Sequence, residues 1–131
     1  MNRILKAGIA GYGYMGEIRK AVIEKNPRME LVGISDTNPE IREKINGCKV
    51  FESYEKLLSE DIDLVFVCTP NCYSPKICIT SINIHKHVFC EKPPGCNVQD
   101  VRDIITAEKT NGNVKLMFGF NHRFHPGIIK A

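Results

Sequence analysis

No apolar run in this chain approaches the roughly 20 residues that a helix needs to cross a bilayer. The amino terminus lacks a secretory pattern as well: Arg3 and Lys6 flank only Ile4 and Leu5, and glycines break the apolar stretch that follows. One-sided charge is missing, since 18 Lys and Arg stand against 15 Asp and Glu for a formal net charge of +3. That excess is too small and too scattered to hold nucleic acid or an acidic membrane surface. The cysteines, Cys48, Cys68, Cys72, Cys78, Cys90 and Cys96, include no C-x-x-C pair. The spacing Cys68-x3-Cys72-x5-Cys78 matches neither zinc nor iron–sulfur ligation, so no metal site is expected. Cys68 and Cys90 each end an apolar run, where a thiol behaves as a small buried hydrophobe, and no structural disulfide is expected. Internal repeats, low-complexity tracts, an interdomain linker and tryptophan are all lacking. A protein of the cytoplasm, without membrane or nucleic-acid partners, is the expectation.

What is present suffices for one packed domain: 131 residues, 43% of them hydrophobic and 25% charged. Short apolar runs at Ile4–Ala10, Leu31–Ser35, Leu64–Cys68, His87–Cys90 and Lys115–Phe120 read as strands bounded by Gly, Pro, Asp or Asn, with a weaker one at Cys48–Phe51. The run Leu64–Cys68 is apolar without alternation, which predicts a strand covered on both faces. Helical spacing fills the gaps, at Met15–Lys25, Pro39–Ile45, Ser53–Leu58, Ser74–Ile84 and Asn97–Lys109. Asn38 before Pro39, and Asn97, are suited to N-capping, and Asn111-Gly112 to stopping the last helix. Strand and helix in alternation predict an α/β fold of the doubly wound Rossmann type, with a mostly parallel six-stranded sheet and helices on both faces.

Gly11-Tyr12-Gly13-Tyr14-Met15-Gly16 is G-x-G-x-x-G, placed between the first strand and the first helix as a dinucleotide fingerprint requires. Gly11 permits a tight turn, Gly13 leaves the backbone open to a diphosphate, and Gly16 lets the helix pack on the strand. The helix N-terminus adds free N–H groups and partial positive charge. Asp36, 20 positions after Gly16 and followed by Thr37, ends the second strand. A carboxylate there accepts from ribose hydroxyls and repels a 2′-phosphate, which predicts NAD over NADP.

Two further segments narrow the class: Glu91-Lys92-Pro93 after the fifth strand and Asn121-His122-Arg123-Phe124-His125-Pro126 after the sixth. With the glycine loop and Cys68-Thr69-Pro70-Asn71, they make the chain resemble the Gfo/Idh/MocA oxidoreductases over its whole length. The resemblance implies that residues 1–120 form an NAD-binding Rossmann domain. It puts Lys92 at the boundary of nicotinamide and substrate, as the catalytic group that stabilises charge on the reacting oxygen. It implies a cis Lys92–Pro93 bond, and cofactor contacts from Cys68, Thr69, Pro70 and Asn71. Glu91 would touch the cofactor or position its loop, and Arg123 would help close the cleft or serve the structure. Tyr12 and Tyr14 would flank the cofactor or pack. Relatives often carry a histidine where this chain has Ser74, which removes the expected histidine contact; His85 and His87 read as surface or helix-capping residues.

In that family a second domain supplies the acid or base and most substrate contacts. Residues 121–131 read as the start of the connection to such a domain, missing here. The expectation is a domain that binds NAD(H) but turns over little, from a parent acting on a sugar, sugar derivative or cyclitol, with an exposed apolar patch prone to homo-oligomer formation. Two readings stay open beside it: a stand-alone NAD-binding regulatory or interaction module, and a Rossmann domain for another nucleotide ligand such as S-adenosylmethionine.

Overall fold

β1 (Leu5–Ala10) leads into α1 (Tyr14–Lys25), β2 (Met29–Ser35), α2 (Pro39–Arg42), β3 (Lys49–Phe51) and α3 (Tyr54–Leu58). There follow β4 (Leu64–Val67), α4 (Ser74–Asn83), β5 (His87–Cys90), α5 (Val98–Thr110), β6 (Leu116–Phe118), a 3-10 turn at Asn121–Phe124 and α6 (Pro126–Ile129). This computed structural model describes residues 3–131; Met1 and Asn2, assigned by the sequence to the same domain, lie outside the described residues.

Local chemistry sets the helix ends. The side chains of Asn38, Ser53 and Asn97 accept hydrogen bonds from the backbone N–H of Glu40, Lys56 and Asp100, satisfying donors that a helix start leaves free. His85, in the left-handed region at φ 60°, turns the chain out of α4. Helix α2 stops at Arg42 rather than running to Ile45 as the spacing predicts. Beyond it, Lys44 and Ile45 donate to carbonyls three residues back, and that tightened turn delivers Ile45 into the core.

The strands form one sheet in the order β3-β2-β1-β4-β5-β6, and every pair is parallel. This is the doubly wound Rossmann arrangement that the sequence predicts. Alternate side chains divide the core between the two faces. Ala7, Ile9 and Ile34 pack with Ile23 of α1 and with Ile45. Val65, Val67, Val88 and Cys90 pack with Leu57, Ile77, Ile82 and Ile104 from α3, α4 and α5. Burying each large aliphatic side chain contributes about 1.5–3 kcal/mol.

Strand β4 departs from expectation on one face. Val65 and Val67 are buried, but Leu64 and Phe66 are only half-buried. With His87, Phe89, Lys115 and Met117 they line a shallow apolar hollow on the α1 side of the sheet. Helix α1 covers β1 and β2 and reaches β5 through the Arg19 side chain, whose guanidinium lies over Phe89, while the hollow beside it stays open.

Candidate functional site

Register creates the site. Ala10 pairs with Ser35 and Val67, Ser35 with Phe51, and Val67 with Cys90, so these strands end level. Gly11, Asp36, Cys68 and Glu91 are thus each the first residue beyond a strand. Their N–H groups extend the ladder by one more bond, to Ser35, Phe51, Ala10 and Val67 carbonyls at 2.8–3.1 Å. With strands about 4.8 Å apart, the loops after β1 and β5 stand about 10 Å from one another. The crevice at this edge falls where the strand order reverses, the place where open α/β sheets take ligands.

Within the crevice is a cleft of about 790 Å³ lined by Gly11, Gly13, Tyr14, Met15, Asp36, Thr37, Cys68, Thr69 and Pro70. Gly11 has φ +92°, and a Cβ there would stand 2.7 Å from the Cys68 carbonyl oxygen. Gly16 is buried, and its Cβ would meet the Gly11 carbonyl oxygen at 2.3 Å, so the first turn of α1 seats directly on the loop. Gly13 is different: a Cβ there meets nothing within 4 Å. No side chain caps α1, whose first N–H groups face this open ground. Residue by residue, the cradle fits a diphosphate and the cleft volume fits an extended dinucleotide.

Asp36 does more than border the cleft. Its carboxylate accepts from the Tyr12 N–H and the Asn38 N–H, both at 2.9 Å, which ties the glycine loop to the turn after β2. Arg42 donates to the carbonyl oxygens of Asp36 and Thr37, at 2.8 and 2.9 Å, and fixes that turn from behind. Tyr12 packs half-buried against the α1-side core, while Tyr14 is 78% exposed at the cleft wall. Burial pushes the Tyr12 hydroxyl pKa up.

The loop after β4 is held by Ser74, the departure from the family pattern. This buried hydroxyl lies 3.1 Å from Thr69 Oγ1 and bonds the carbonyls of Thr69 and Pro70. Asn71 donates across to the Gly95 carbonyl at 3.4 Å, joining this loop to the one after β5. Burial pushes the Cys68 thiol up to about 12, with the Glu91 carboxylate adding to it, so Cys68 is a neutral wall of the cleft rather than a thiolate.

In the loop after β5, the Lys92–Pro93 bond is cis and Lys92 is exposed. The Glu91 side chain takes another direction: it is buried and paired with Arg19 of α1 at 2.5 Å. Arg123 is exposed on the 3-10 turn, 5.5 Å over the Phe124 ring, and is not part of the cleft wall. Sequence reasoning missed Ile41, Ser53, Tyr54, Tyr73 and Lys76, which also line the cleft. The strand order would have found Ser53 and Tyr54, because β3 lies beside β2 and its loop opens on the same edge. His85 ends a helix as expected, whereas His87 accepts from the Lys115 N–H at 3.0 Å, between β5 and β6. Among the described residues, no His, Cys, Asp and Glu cluster could hold a metal ion, and no helix is long and apolar enough to cross a membrane.

Residues 5–120 match the model of the Gfo/Idh/MocA group, an oxidoreductase family with an NAD-binding Rossmann fold. An uncharacterized oxidoreductase of Streptococcus pneumoniae is 35% identical over 130 residues, covering 98% of this chain and 35% of that protein. The myo-inositol 2-dehydrogenase of Thermotoga maritima is 31% identical over 131 residues, 96% of this chain and 39% of the relative. The scyllo-inositol dehydrogenase of Lactobacillus casei, solved with bound NAD(H) and scyllo-inositol, superposes with a TM-score of 0.86 at 27% identity, over 95% of this chain and 38% of its own. The chain belongs to the Gfo/Idh/MocA oxidoreductase family, as an NAD-binding-type Rossmann domain. It spans 35% to 39% of the length of these relatives.

Proposed function

We propose that this chain binds NAD(H) in the cleft, as the cofactor domain of a dehydrogenase or reductase acting on a sugar, sugar derivative or cyclitol. Residues 1–120 are the binding domain, and residues 121–131 begin the connection to a substrate domain. The observation that carries the reading is the level ending of β1, β2, β4 and β5, which gathers the glycine loop, Asp36, Thr69 and the Lys92 loop on one edge. The Lactobacillus casei relative, bound to NAD(H) and a cyclitol, supports it.

The roles follow from chemistry. Gly13 and the free N–H groups of α1 receive the diphosphate; Asp36 accepts from the adenosine ribose hydroxyls and disfavours a 2′-phosphate, so NAD is preferred over NADP. The nicotinamide ring, when bound, supplies the hydride acceptor or donor. Thr69 and Pro70 border its ribose. The Lys92 ammonium donates to the reacting hydroxyl or carbonyl oxygen and stabilises negative charge there. The ammonium acts there as a hydrogen-bond donor, and the proton partner comes from the substrate domain.

Calorimetric titration of the 131-residue chain with NADH and NADPH tests this. The expected result is saturable NADH binding, at least tenfold weaker NADPH binding, and no measurable turnover of cyclitols or sugars. Equal affinities would remove the role given to Asp36, and robust turnover would contradict the assignment of acid–base chemistry to a second domain. In the stand-alone module reading, NAD occupancy instead alters a partner contact, and the encoded polypeptide would end at Ala131.

A further inference from the structure

Arg19 sits in the second turn of α1, and three features single it out. Its Nε donates to Glu91 Oε1 at 2.5 Å, with the two side chains only 15% and 8% exposed. Its guanidinium lies 4.6 Å over the Phe89 ring. Its Nη2 is the buried side-chain nitrogen without a hydrogen-bond partner among the described residues. A pair this deeply buried is weak evidence for stability, since apolar residues of the same shape often do as well.

The position of the pair offers a reason for it. Glu91 immediately precedes Lys92, and it is gripped on three sides. Its N–H bonds the Val67 carbonyl at 2.9 Å, its Oε1 meets Arg19, and its Oε2 fills the space that a Cβ on Gly119 would need. Arg19 lies three residues beyond Gly16, on the helix whose first turn faces the diphosphate cradle. The pair therefore braces the lysine loop against the cofactor-binding helix across 72 residues of sequence.

We propose that Arg19 is a positioning residue: through Glu91 it fixes the Lys92 loop relative to α1, so that Lys92 meets the nicotinamide half of the cofactor. This rests on the cofactor assignment above. Glu91 then acts through its buried contacts rather than by touching the cofactor.

Adenosine diphosphate ribose, which lacks nicotinamide, separates the two ideas. The unaltered chain is expected to bind NADH about tenfold more tightly than adenosine diphosphate ribose, a difference of about 1.4 kcal/mol. Arg19→Met, and the apolar pair Arg19→Met with Glu91→Leu, should abolish that difference while leaving the affinity for adenosine diphosphate ribose unchanged. Arg19→Lys, which keeps the charge and one donor, should recover part of it. In a Lys92→Met background, Arg19→Met should have no further effect on NADH affinity, because the pair acts through that lysine. Equal losses for both ligands, or additive effects of Arg19→Met and Lys92→Met, would show a structural role and overturn the proposal, as would equal affinities of the unaltered chain for the two ligands. An unaltered chain that binds neither ligand would overturn the cofactor assignment itself, and this proposal with it.

Discussion

Alanine at Gly13 and at Gly16 adds the same methyl group three residues apart, yet the consequences should be opposite. At Gly16 the new Cβ lands 2.3 Å from the Gly11 carbonyl oxygen, nearly 1 Å inside ordinary contact, and that oxygen belongs to a backbone pinned by the Gly11 N–H bond to Ser35. Relief requires α1 to lift from the sheet, an overpacking cost of about 1–3 kcal/mol. For a domain of this size that is a fall in Tm of roughly 4–12 °C. At Gly13 the backbone sits at φ −80°, ψ −161°, open to any residue, and the methyl group meets nothing within 4 Å. A poorer N-cap costs about 0.5 kcal/mol, and reduced unfolded-state freedom returns about as much, so Tm should hold within about 1 °C. The same methyl group would stand where the diphosphate approaches the backbone. NADH affinity should fall about 10- to 100-fold, or 1.4–2.8 kcal/mol. Thermal melts followed by circular dichroism and titration calorimetry on both variants decide the matter. A Gly13→Ala chain that binds NADH as tightly as the parent would refute the diphosphate assignment, however stable it proved.

Three other outcomes are expected. Asp36→Asn should weaken NADH binding while narrowing the gap to NADPH, because the neutral amide no longer repels a 2′-phosphate; parallel calorimetry with the two cofactors reads it, and an unchanged ratio contradicts the preference. Iodoacetamide at pH 8 should alkylate the exposed Cys72 and Cys96 but spare Cys68, Cys78 and Cys90, and NADH should protect Cys72, which lines the cleft, without protecting Cys96; peptide mass spectrometry distinguishes them. Stability should decline at alkaline pH: an unfolded Cys68 ionises near the ordinary thiol value of about 8.5 while the folded thiol holds its proton to about 12, so the unfolded state binds fewer protons and ΔG of unfolding falls across that window. Cys68→Ala should flatten that slope in denaturant titrations, and an identical slope would mean that other groups cause it.

The alternation of short apolar runs with helical spacing made the strands and their order of appearance legible, and glycine spacing made the cradle legible, because both are local patterns. The β4 run misled where it implied cover on both faces: an unbroken apolar sequence reports how many faces are hydrophobic, not whether a neighbour lies over each. The reach of Ile45 into the core shortened α2, a tertiary demand that its N-cap could not reveal. The Arg19–Glu91 pair was beyond reach for another reason, since charges 72 residues apart show no periodicity and meet only because β5 comes to lie beside β4. Asp36 was found for its ribose, but its grip on the Tyr12 N–H emerged only from the turn geometry.

The central strand has a temporal consequence. β1 leaves the ribosome ahead of both its neighbours, and one of them, β4, ends only at Val67. At translation rates of about 5–20 residues per second, the intervening stretch takes roughly 3–11 s to emerge. During that interval the nascent β1–α1–β2 unit keeps an unpaired inner edge. The nucleotide cradle is therefore the last feature of the amino-terminal half to close, although its glycines are the earliest part of it to be made.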